Sequence, residues 1–553
     1  MLGTIFLFFP TSYQSLVSLW CLSLGVGIVL AWYRGGFYQT VAQWVLAVVI
    51  SIMVAASVTV VVDNLWDGFE SPWYPWLVMT RWQQLELGSL EWGHWVIVVI
   101  AISGVFIMAW AWFILYWLNR HKGVLGSAHF ATDWEIQKAD LWGNEGIILG
   151  QSNRQPLRLP GYESVLVVAP TGSGKTRGIA IPNLMTWRGS IVANDLKGEL
   201  YDATASYREN HLGNQCYCWA PANVDGSPHG YNPFFYVSDN PDLRIRDLQL
   251  IAEMLIPQER ADGGFWTASS RDLFLMLALY QFETKGMATL AGIHDLSKRE
   301  NFFEWLEMQL DEGIMIDEAG SQLAYSLLQA DADKTRPNIL KDFHSRMTLF
   351  MDPLVRVATS SCDFDMRNLR REKMSIYLNI PDSDQERLKP LVTLFWAQMV
   401  HVMTQAIPDI DTEPYGVLAV LDEFGNMGKI PKLQKGLSFL RGYRVRSVIL
   451  VQYLGQLYSV YGQHDARSFL NAKAKVIYAL NDIEDAKYFS EAMGYKTVTV
   501  RSRGVSHGER QNTSKAENLQ RQPLVSQFSL LHLCYQHQVI MLEGRPPIWG
   551  SKC

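Results

Sequence analysis

Charge is nearly missing from the first 118 residues of this 553-residue chain, although 18% of the whole chain is charged. Cysteine is also scarce, and six residues spread over this length exclude a disulfide-stabilised scaffold. The net charge of −6 excludes a protein that binds nucleic acid through an overall positive charge, so any such contact is local. An aromatic content of 12% excludes a disordered chain, and the length predicts about two to four folded units.

Three long apolar runs occupy the charge-poor part, at about 15–33, 41–62 and 95–118. Each is close to the ~20 residues that a helix needs to cross the hydrocarbon core, and none carries the polar stripe of a soluble helix. The runs predict three transmembrane helices in an N-terminal membrane domain over residues 1–120. For the first run the alternative is a cleaved signal peptide, which is disfavoured because no Lys or Arg precedes it.

Basic residues near the ends of these runs predict their orientation, because Lys and Arg collect on the cytoplasmic side. Arg34 separates the first two runs, and Arg120 and Lys122 follow the third. The loop at about 63–94 holds Arg81 against five acidic residues and many tryptophans, which places this loop outside the cytoplasm. Everything after residue 120 is therefore expected in the cytoplasm.

A glycine-rich segment follows a short apolar strand predicted at 164–168. The segment reads Ala-Pro-Thr-Gly-Ser-Gly-Lys-Thr over 169–176 and precedes an apolar-periodic helix. This is the context of a phosphate-binding loop, in which glycines let backbone N–H groups face phosphate oxygens at a helix N-terminus. Ala169 replaces the first glycine of the usual pattern, which requires a negative φ there. The predicted nucleotide-binding residues are Thr171, Gly172, Ser173, Gly174, Lys175 and Thr176.

Three further residues complete a predicted site for ATP hydrolysis. Lys175 is expected to reach the β- and γ-phosphates, and Thr176 to hold Mg²⁺. A hydrophobic strand from residue 415 ends in Asp422, predicted to bind Mg²⁺ through water, and Glu423, predicted to activate the attacking water. The strand from residue 445 ends in Gln452, which is placed to orient that water or to sense the γ-phosphate.

Short strands and helical segments alternate through the rest of the cytoplasmic part, which is typical of an α/β domain with a mainly parallel sheet. The additional strands are predicted at 190–195, 215–220, 374–380, 474–480 and 539–543. Between about 239 and 353 the periodicity is helical, which predicts an all-α insertion. Its acidic cluster forms either a solvated face or a docking surface, and comprises Asp311, Glu312, Asp317 and Glu318.

Several short motifs then follow one another in a specific order. They lie at 126–131, 169–176, 194–201, 231–234, 265–266, 421–424, 452–457, 521–524 and 545–548. In this order they resemble the coupling proteins of type IV secretion and conjugation systems, the TraG/TraD-like family. The resemblance covers the whole chain, including the apolar N-terminal runs.

The resemblance implies a RecA-like P-loop domain over 121–238 and 354–553, with the all-α domain inserted at 239–353. It implies an ATPase in the bacterial inner membrane, with loop 63–94 in the periplasm and a large C-terminal domain in the cytoplasm. The implied cofactors are ATP and Mg²⁺. The implied assembly is a homo-hexamer with nucleotide at the subunit interfaces.

The resemblance also implies partners and further functional residues. The partners are a relaxase or relaxosome with single-stranded DNA, the inner-membrane components of the secretion channel, and protein effectors. Asp195, Lys197 and Glu199, with Asn194, are candidates for coupling the ATP state to the channel, and the alternative for them is a salt-bridge cluster. An arginine acting on the neighbouring subunit is expected, with Arg336, Arg370 and Arg371 as candidates.

Two features depart from the family pattern. Relatives usually have two obvious spans, whereas three are predicted here. Many relatives also carry an acidic or flexible tail, whereas this chain stops at Lys552 and Cys553. We therefore expect substrate docking on the helical domain rather than on a tail.

Other functions fit parts of the same pattern. A substrate receptor or adaptor could use ATP as an assembly switch only, and a coupling protein could pass protein effectors alone. A membrane-anchored chromosome-segregation translocase would share the spans and the motor, but the flanking motifs found here match the coupling proteins instead. An ABC transporter is disfavoured because this sequence has no ABC signature segment between its two nucleotide-binding motifs. Two basic stretches contact DNA or form solvated faces: Arg441, Arg444 and Arg446, and Arg501, Arg503 and Arg510.

Overall fold

The computed structural model describes residues 125–258, 264–314, 317–506 and 512–553, together with Trp110. The predicted spans at about 15–33, 41–62 and 95–118 lie outside these residues, apart from that tryptophan. Among the described residues, no helix combines the length and the apolar character needed to cross a bilayer.

Thirteen strands are present in the described residues. In chain order they are β1 (Ile147–Ser152), β2 (Gln155–Leu159), β3 (Val165–Val168), β4 (Ser190–Asp195), β5 (Gln215–Trp219), β6 (Met374–Asn379), β7 (Val417–Leu421), β8 (Val445–Val451), β9 (Ala474–Ile477), β10 (Tyr495–Ser506), β11 (Asn512–Pro523), β12 (His537–Leu542) and β13 (Ile548–Ser551).

Eleven of these strands form one sheet, in the order β2-β1-β13-β12-β9-β3-β8-β7-β4-β6-β5. From β9 to β5 all neighbours are parallel, whereas β12, β13, β1 and β2 add an antiparallel end. Strands β10 and β11 pair separately as a long antiparallel ribbon. The sheet is therefore mainly parallel, as the sequence predicts.

Fifteen α-helices are present in the described residues. They are α1 (Asp133–Lys138), α2 (Ile181–Thr186), α3 (Glu199–Tyr207), α4 (Pro241–Leu255), α5 (Phe265–Lys285), α6 (Leu290–Ser297), α7 (Phe302–Asp311), α8 (Glu318–Gln329), α9 (Thr335–Arg346), α10 (Pro353–Ala358), α11 (Gln385–Met403), α12 (Pro431–Gly436), α13 (Leu454–Leu470), α14 (Ile483–Ala492) and α15 (Gln527–Leu531). Between β5 and β6 the described chain contains helices and turns and no strand.

The central strands are buried on both faces because helices cover the sheet on each side. Every residue of β3, β4, β7 and β8 is buried, and these strands are rich in Val, Ile and Leu. Separate hydrophobic cores on the two faces contain Leu166 and Val168 on one side and Val165 and Val167 on the other. This burial stabilises the central parallel strands. Because these strands are parallel, their carboxyl ends lie at one edge of the sheet.

The helical segment packs around α5, which contacts α4, α6, α8 and α9. Eleven of its 21 residues are buried, and the hydrophobic ones belong to the same hydrophobic core as Leu166 and Val168 of the sheet. Helix α11 contacts α4, and its Phe395 stacks on Trp219 of β5, so this helix joins the helical segment to the sheet.

Candidate nucleotide-binding site

The glycine-rich loop follows β3 directly and leads into the turn Thr176–Ala180 before α2. Gly172 and Gly174 have φ of 75° and 82°, which favour glycine and turn the backbone sharply. Ala169 is fully buried, is not among the residues with positive φ, and donates its N–H to the Val451 carbonyl at 2.9 Å. Alanine is therefore compatible with the first position of this loop.

Lys175 and Thr176 connect this loop to the end of β7. The Lys175 side chain is 7% exposed, and its Nζ pairs with Glu423 Oε1. Thr176 Oγ1 donates to Asp422 Oδ2 at 3.1 Å. The structure thus brings together four of the residues that the sequence placed at the phosphates, the metal and the attacking water.

Burial dominates the electrostatics of Asp422. It raises the pKa of this carboxyl to about 6, and the neighbouring Lys175 ammonium opposes the rise. The main chain is fixed as well, because Asn194 Nδ2 donates to the Asp422 carbonyl at 2.9 Å. Asp422 Oδ1 also accepts the N–H of Glu423 at 3.0 Å.

Glu423 has φ of 52°, which is unusual for a residue with a side chain and is common at functional sites. Its two carboxylate oxygens have different partners, Lys175 on one and Gln452 Nε2 at 2.8 Å on the other. Gln452 lies at the end of β8, and its own N–H donates to Gln456 Oε1 at 2.9 Å. The predicted base and the predicted water-orienting residue are therefore in direct contact.

The residues present suit a magnesium ion that keeps part of its water shell. Mg²⁺ prefers oxygen ligands and is usually held by one or two protein groups together with phosphates. The Thr176 hydroxyl and the Asp422 carboxylate, which are hydrogen-bonded to each other beside the loop, would supply these oxygen ligands. No group of three or more His, Cys, Asp or Glu side chains is placed to hold a metal in the described parts of the chain.

A cleft of about 670 Å³ opens above these residues. Asp195, Lys197 and Glu199, the predicted coupling residues, line it from the end of β4 and the start of α3. Asp195 is buried, which raises its pKa, and its Oδ2 accepts the N–H of Tyr201 at 2.9 Å. Lys197 and Glu199 are exposed.

The cleft also has walls that sequence reasoning missed. Asp382, Gln385 and Asn426 line it from the segments after β6 and β7, and Tyr535 lines it from the loop before β12. No local pattern marks these residues, because the topology of the sheet alone brings their loops to the phosphate loop.

All three candidate trans-acting arginines have partners within their own chain, and they differ in exposure. Arg370 is 4% exposed, and its guanidinium donates to Glu413 Oε2 and to the Met403 carbonyl, both at 2.8 Å. Arg336 donates to the carbonyls of Leu328 and Ala330. The guanidinium of Arg370 is thus buried and paired inside the fold, whereas the Arg371 side chain is 58% exposed and its Nη2 pairs with Glu413 Oε1 at 3.3 Å.

One of the two basic stretches holds structural arginines. Arg446 is fully buried and donates to the carbonyls of Pro160, Gly161 and Glu163. It is neither part of a solvated face nor a phosphate contact, so that expectation is wrong for Arg446. In the other stretch Arg501 is an exposed residue of β10, while Arg503 and Arg510 lie outside the residues whose side chains are described.

Solved structures of the coupling protein TrwB share this fold. The trigonal form of TrwBdeltaN70 with sulphate has a TM-score of 0.58 at 15% identity, covering 77% of this chain and 93% of that chain. TrwB with the ATP analogue ADPNP has a TM-score of 0.57 at the same identity. The shared fold defines the class: a RecA-like α/β protein, here with a glycine-rich loop directly after β3.

The family follows from the sequence comparisons. The profile of the type IV secretory system conjugative DNA transfer family matches residues 120–553. The chain belongs to this family, that of the type IV coupling proteins. VirD4 of Rhizobium radiobacter is 31% identical over 389 residues, which cover 69% of this chain and 55% of VirD4. TraG of Escherichia coli is 28% identical over 434 residues, covering 72% of this chain and 68% of TraG. The chain thus spans little more than half of its VirD4 relatives.

Proposed function

We propose that this protein is an inner-membrane coupling ATPase of a type IV secretion or conjugation system. Its cargo is a relaxase bound to single-stranded DNA, with protein effectors as a second class, and ATP hydrolysis passes the cargo to the secretion channel. The observation that carries the proposal is the set of contacts from the phosphate loop to the ends of β7 and β8, through Lys175, Glu423 and Gln452.

Each of these side chains has a chemical task in hydrolysis. Lys175 neutralises charge on the β- and γ-phosphates, while Glu423 accepts a proton from the attacking water and Gln452 orients that water. Thr176 and Asp422 hold Mg²⁺, which offsets the charge of the phosphates when bound. Phosphates compete with Glu423 for Lys175, so ATP binding would release the carboxylate for its role as base.

The wider organisation is part of the same proposal. The membrane domain comprises 1–120, the nucleotide-binding domain 121–238 with 354–553, and the all-α domain 239–353. The loop at about 63–94 faces the periplasm and everything after residue 120 the cytoplasm. Family membership supports a ring of six subunits with nucleotide between them. Arg371 is the remaining exposed candidate to act on the neighbouring site.

Substitution of Glu423 by Gln tests this function. The amide keeps the shape of the side chain but cannot accept the proton, so ATP turnover should fall by about 10²- to 10⁴-fold. ATP affinity should change little, because the loop and Lys175 remain. ATP turnover and ATP affinity are measured on full-length protein in detergent. Cargo transfer is measured in a donor strain that carries the variant.

The matched control is Glu543→Gln, which removes a carboxylate that is 71% exposed at the end of β12. It should leave turnover and transfer unchanged. Cargo transfer that persists with Glu423→Gln would contradict a motor. It would favour the alternative, a substrate receptor that uses ATP as an assembly switch and needs no hydrolysis.

A further inference from the structure

An exposed aromatic ring lies beside the phosphate loop, although it comes from a distant part of the chain. Tyr535 is in the loop between α15 and β12, and it is 61% exposed. Its hydroxyl is so close to the loop that a Cβ on Gly174 would lie 2.6 Å from it. The ring lines the same cleft as Lys175 and Thr176.

Lys552 holds this ring in place. Its Nζ donates to the Ser173 carbonyl at 2.7 Å and lies over the rings of Tyr535 and Tyr478, 4.2 Å and 4.0 Å from their centroids. The backbone N–H of Lys552 also donates to the Gln536 carbonyl at 3.0 Å. Tyr535 is therefore oriented against the phosphate loop by a cation–π contact, although most of its surface is open.

The two tyrosines differ in what they can do. Tyr478 is fully buried beneath Lys552, and its N–H donates to the Val168 carbonyl at 3.1 Å, so it supports the end of the sheet. Tyr535 has no such burial to explain its position. One face of its ring meets the ammonium, and the exposed remainder offers a flat apolar surface at the mouth of the cleft.

A nucleotide whose phosphates occupy the loop must direct its ribose and base out of the cleft. Aromatic side chains bind bases by stacking, and stacking tolerates any base because every base has a flat π-face. We propose that Tyr535 is the residue on which the base of the bound nucleoside triphosphate stacks. This inference rests on the proposed nucleotide function and adds a residue that recognises the base.

The test compares a ligand that has a base with one that does not. The affinities of ATP and inorganic tripolyphosphate, each with Mg²⁺, are measured on the full-length protein in detergent for wild type, Tyr535→Ala and Tyr535→Phe. The alanine variant should bind ATP about tenfold more weakly or worse, with tripolyphosphate within about twofold of wild type. The phenylalanine variant keeps the ring and should bind ATP like wild type.

Two controls separate the possible failures. Tyr325→Ala removes a tyrosine that is 54% exposed on α8 and should change neither affinity. Lys175→Ala should weaken both ligands. Equal losses of ATP and tripolyphosphate in Tyr535→Ala, or no loss of ATP, would overturn the stacking role. Wild-type protein that binds neither ligand would overturn the nucleotide site itself, and the stacking proposal with it.

Discussion

Gln456 contacts the predicted base only indirectly, through Gln452. Its Oε1 accepts the N–H of Gln452, which in turn donates to Glu423. A Cβ on Gly425 would lie 2.6 Å from the Cβ of Gln456, so the turn after Glu423 also packs directly on this side chain. Gln456 is therefore expected to position Gln452 without touching the nucleotide.

Replacing Gln456 by Ala removes this acceptor. We expect kcat for ATP to fall about tenfold, which corresponds to one hydrogen bond, while KM stays within about twofold. Gln456→Glu retains a side-chain oxygen and should recover most of the rate. Gln463→Ala changes an exposed glutamine of the same helix and is the control for helix stability. A rise in KM with unchanged kcat would contradict the positioning role.

Arg370 shows how a residue singled out by family expectation can have a purely structural task. Arg370 forms a buried ion pair with Glu413, whose other oxygen pairs with the exposed Arg371. Removing Arg370 leaves this buried carboxylate with only the exposed partner, which compensates its charge poorly. Arg370→Ala should therefore lower the free energy of unfolding by about 3–5 kcal/mol, seen as a lower thermal midpoint. Arg371→Ala, at an exposed side chain, should cost no more than about 1 kcal/mol. An Arg370→Ala variant of normal stability whose turnover is lost would restore Arg370 as a trans-acting residue.

At the scale of elements, the strands that are hydrophobic and end in polar residues were predictable from the sequence. The prediction for β4 matches its bounds, and β3, β7 and β8 fall within a few residues of theirs. The phosphate loop, the two acids and Gln452 were found because each directly follows such a run. Residues at the ends of neighbouring parallel strands must meet, so their contacts were predictable as well.

In the antiparallel end of the sheet only β12 was predicted, as a strand at 539–543. Strands β1, β2 and β13 are short and partly polar, and the ribbon β10–β11 is polar along most of its length. The positions of Tyr535 and Lys552 depend on how β12 pairs with β9 and β13 with β12, which no local pattern encodes. The wall of the cleft that they form therefore emerges only with the tertiary structure.

Helix α13 begins directly after the strand-end segment that holds Gln452, and a buried carboxylate supports its start. Asp485 is 4% exposed, and its Oδ2 accepts the N–H of Leu454 at 2.8 Å. Burial raises the pKa of Asp485 to about 6, although the Leu454 N–H opposes the rise. The folded protein therefore binds a proton here more tightly than the unfolded chain does.

This raised pKa predicts how stability depends on pH. The contribution of Asp485 is most favourable below the unfolded pKa near 4 and is lost as the pH rises through about 6. The thermal midpoint of wild type minus that of Asp485→Asn should thus be more positive at pH 5 than at pH 7.5. Glu484→Gln alters an exposed carboxylate of the same helix and should show no such trend. A difference that is constant with pH would contradict the raised pKa.

At the scale of the whole molecule, net charge and local charge lead to different expectations for DNA. The net charge of −6 gives no general attraction to DNA, and Arg446 is used inside the fold. Arg441 is 64% exposed but pairs with Glu163 at 2.9 Å. Contact with a DNA cargo must therefore come from a limited set of basic residues, or from an arrangement of several subunits.

DNA binding by the full-length protein in detergent should depend on salt in a measurable way. Each phosphate neutralised on a single strand contributes about −0.7 to the slope of log affinity against log salt. We expect a slope of about −2 or steeper, and ATP turnover that rises with single-stranded DNA. Arg446 faces no solvent, so Arg446→Ala should change this slope by less than the contribution of one phosphate. The comparison requires that the variant is shown to be folded. Lys175→Ala should bind DNA with the same slope but show no turnover. A flat salt response in a sample shown to be oligomeric would remove DNA from the cargo and leave protein effectors, because a phosphate backbone cannot be bound by cations without releasing counterions.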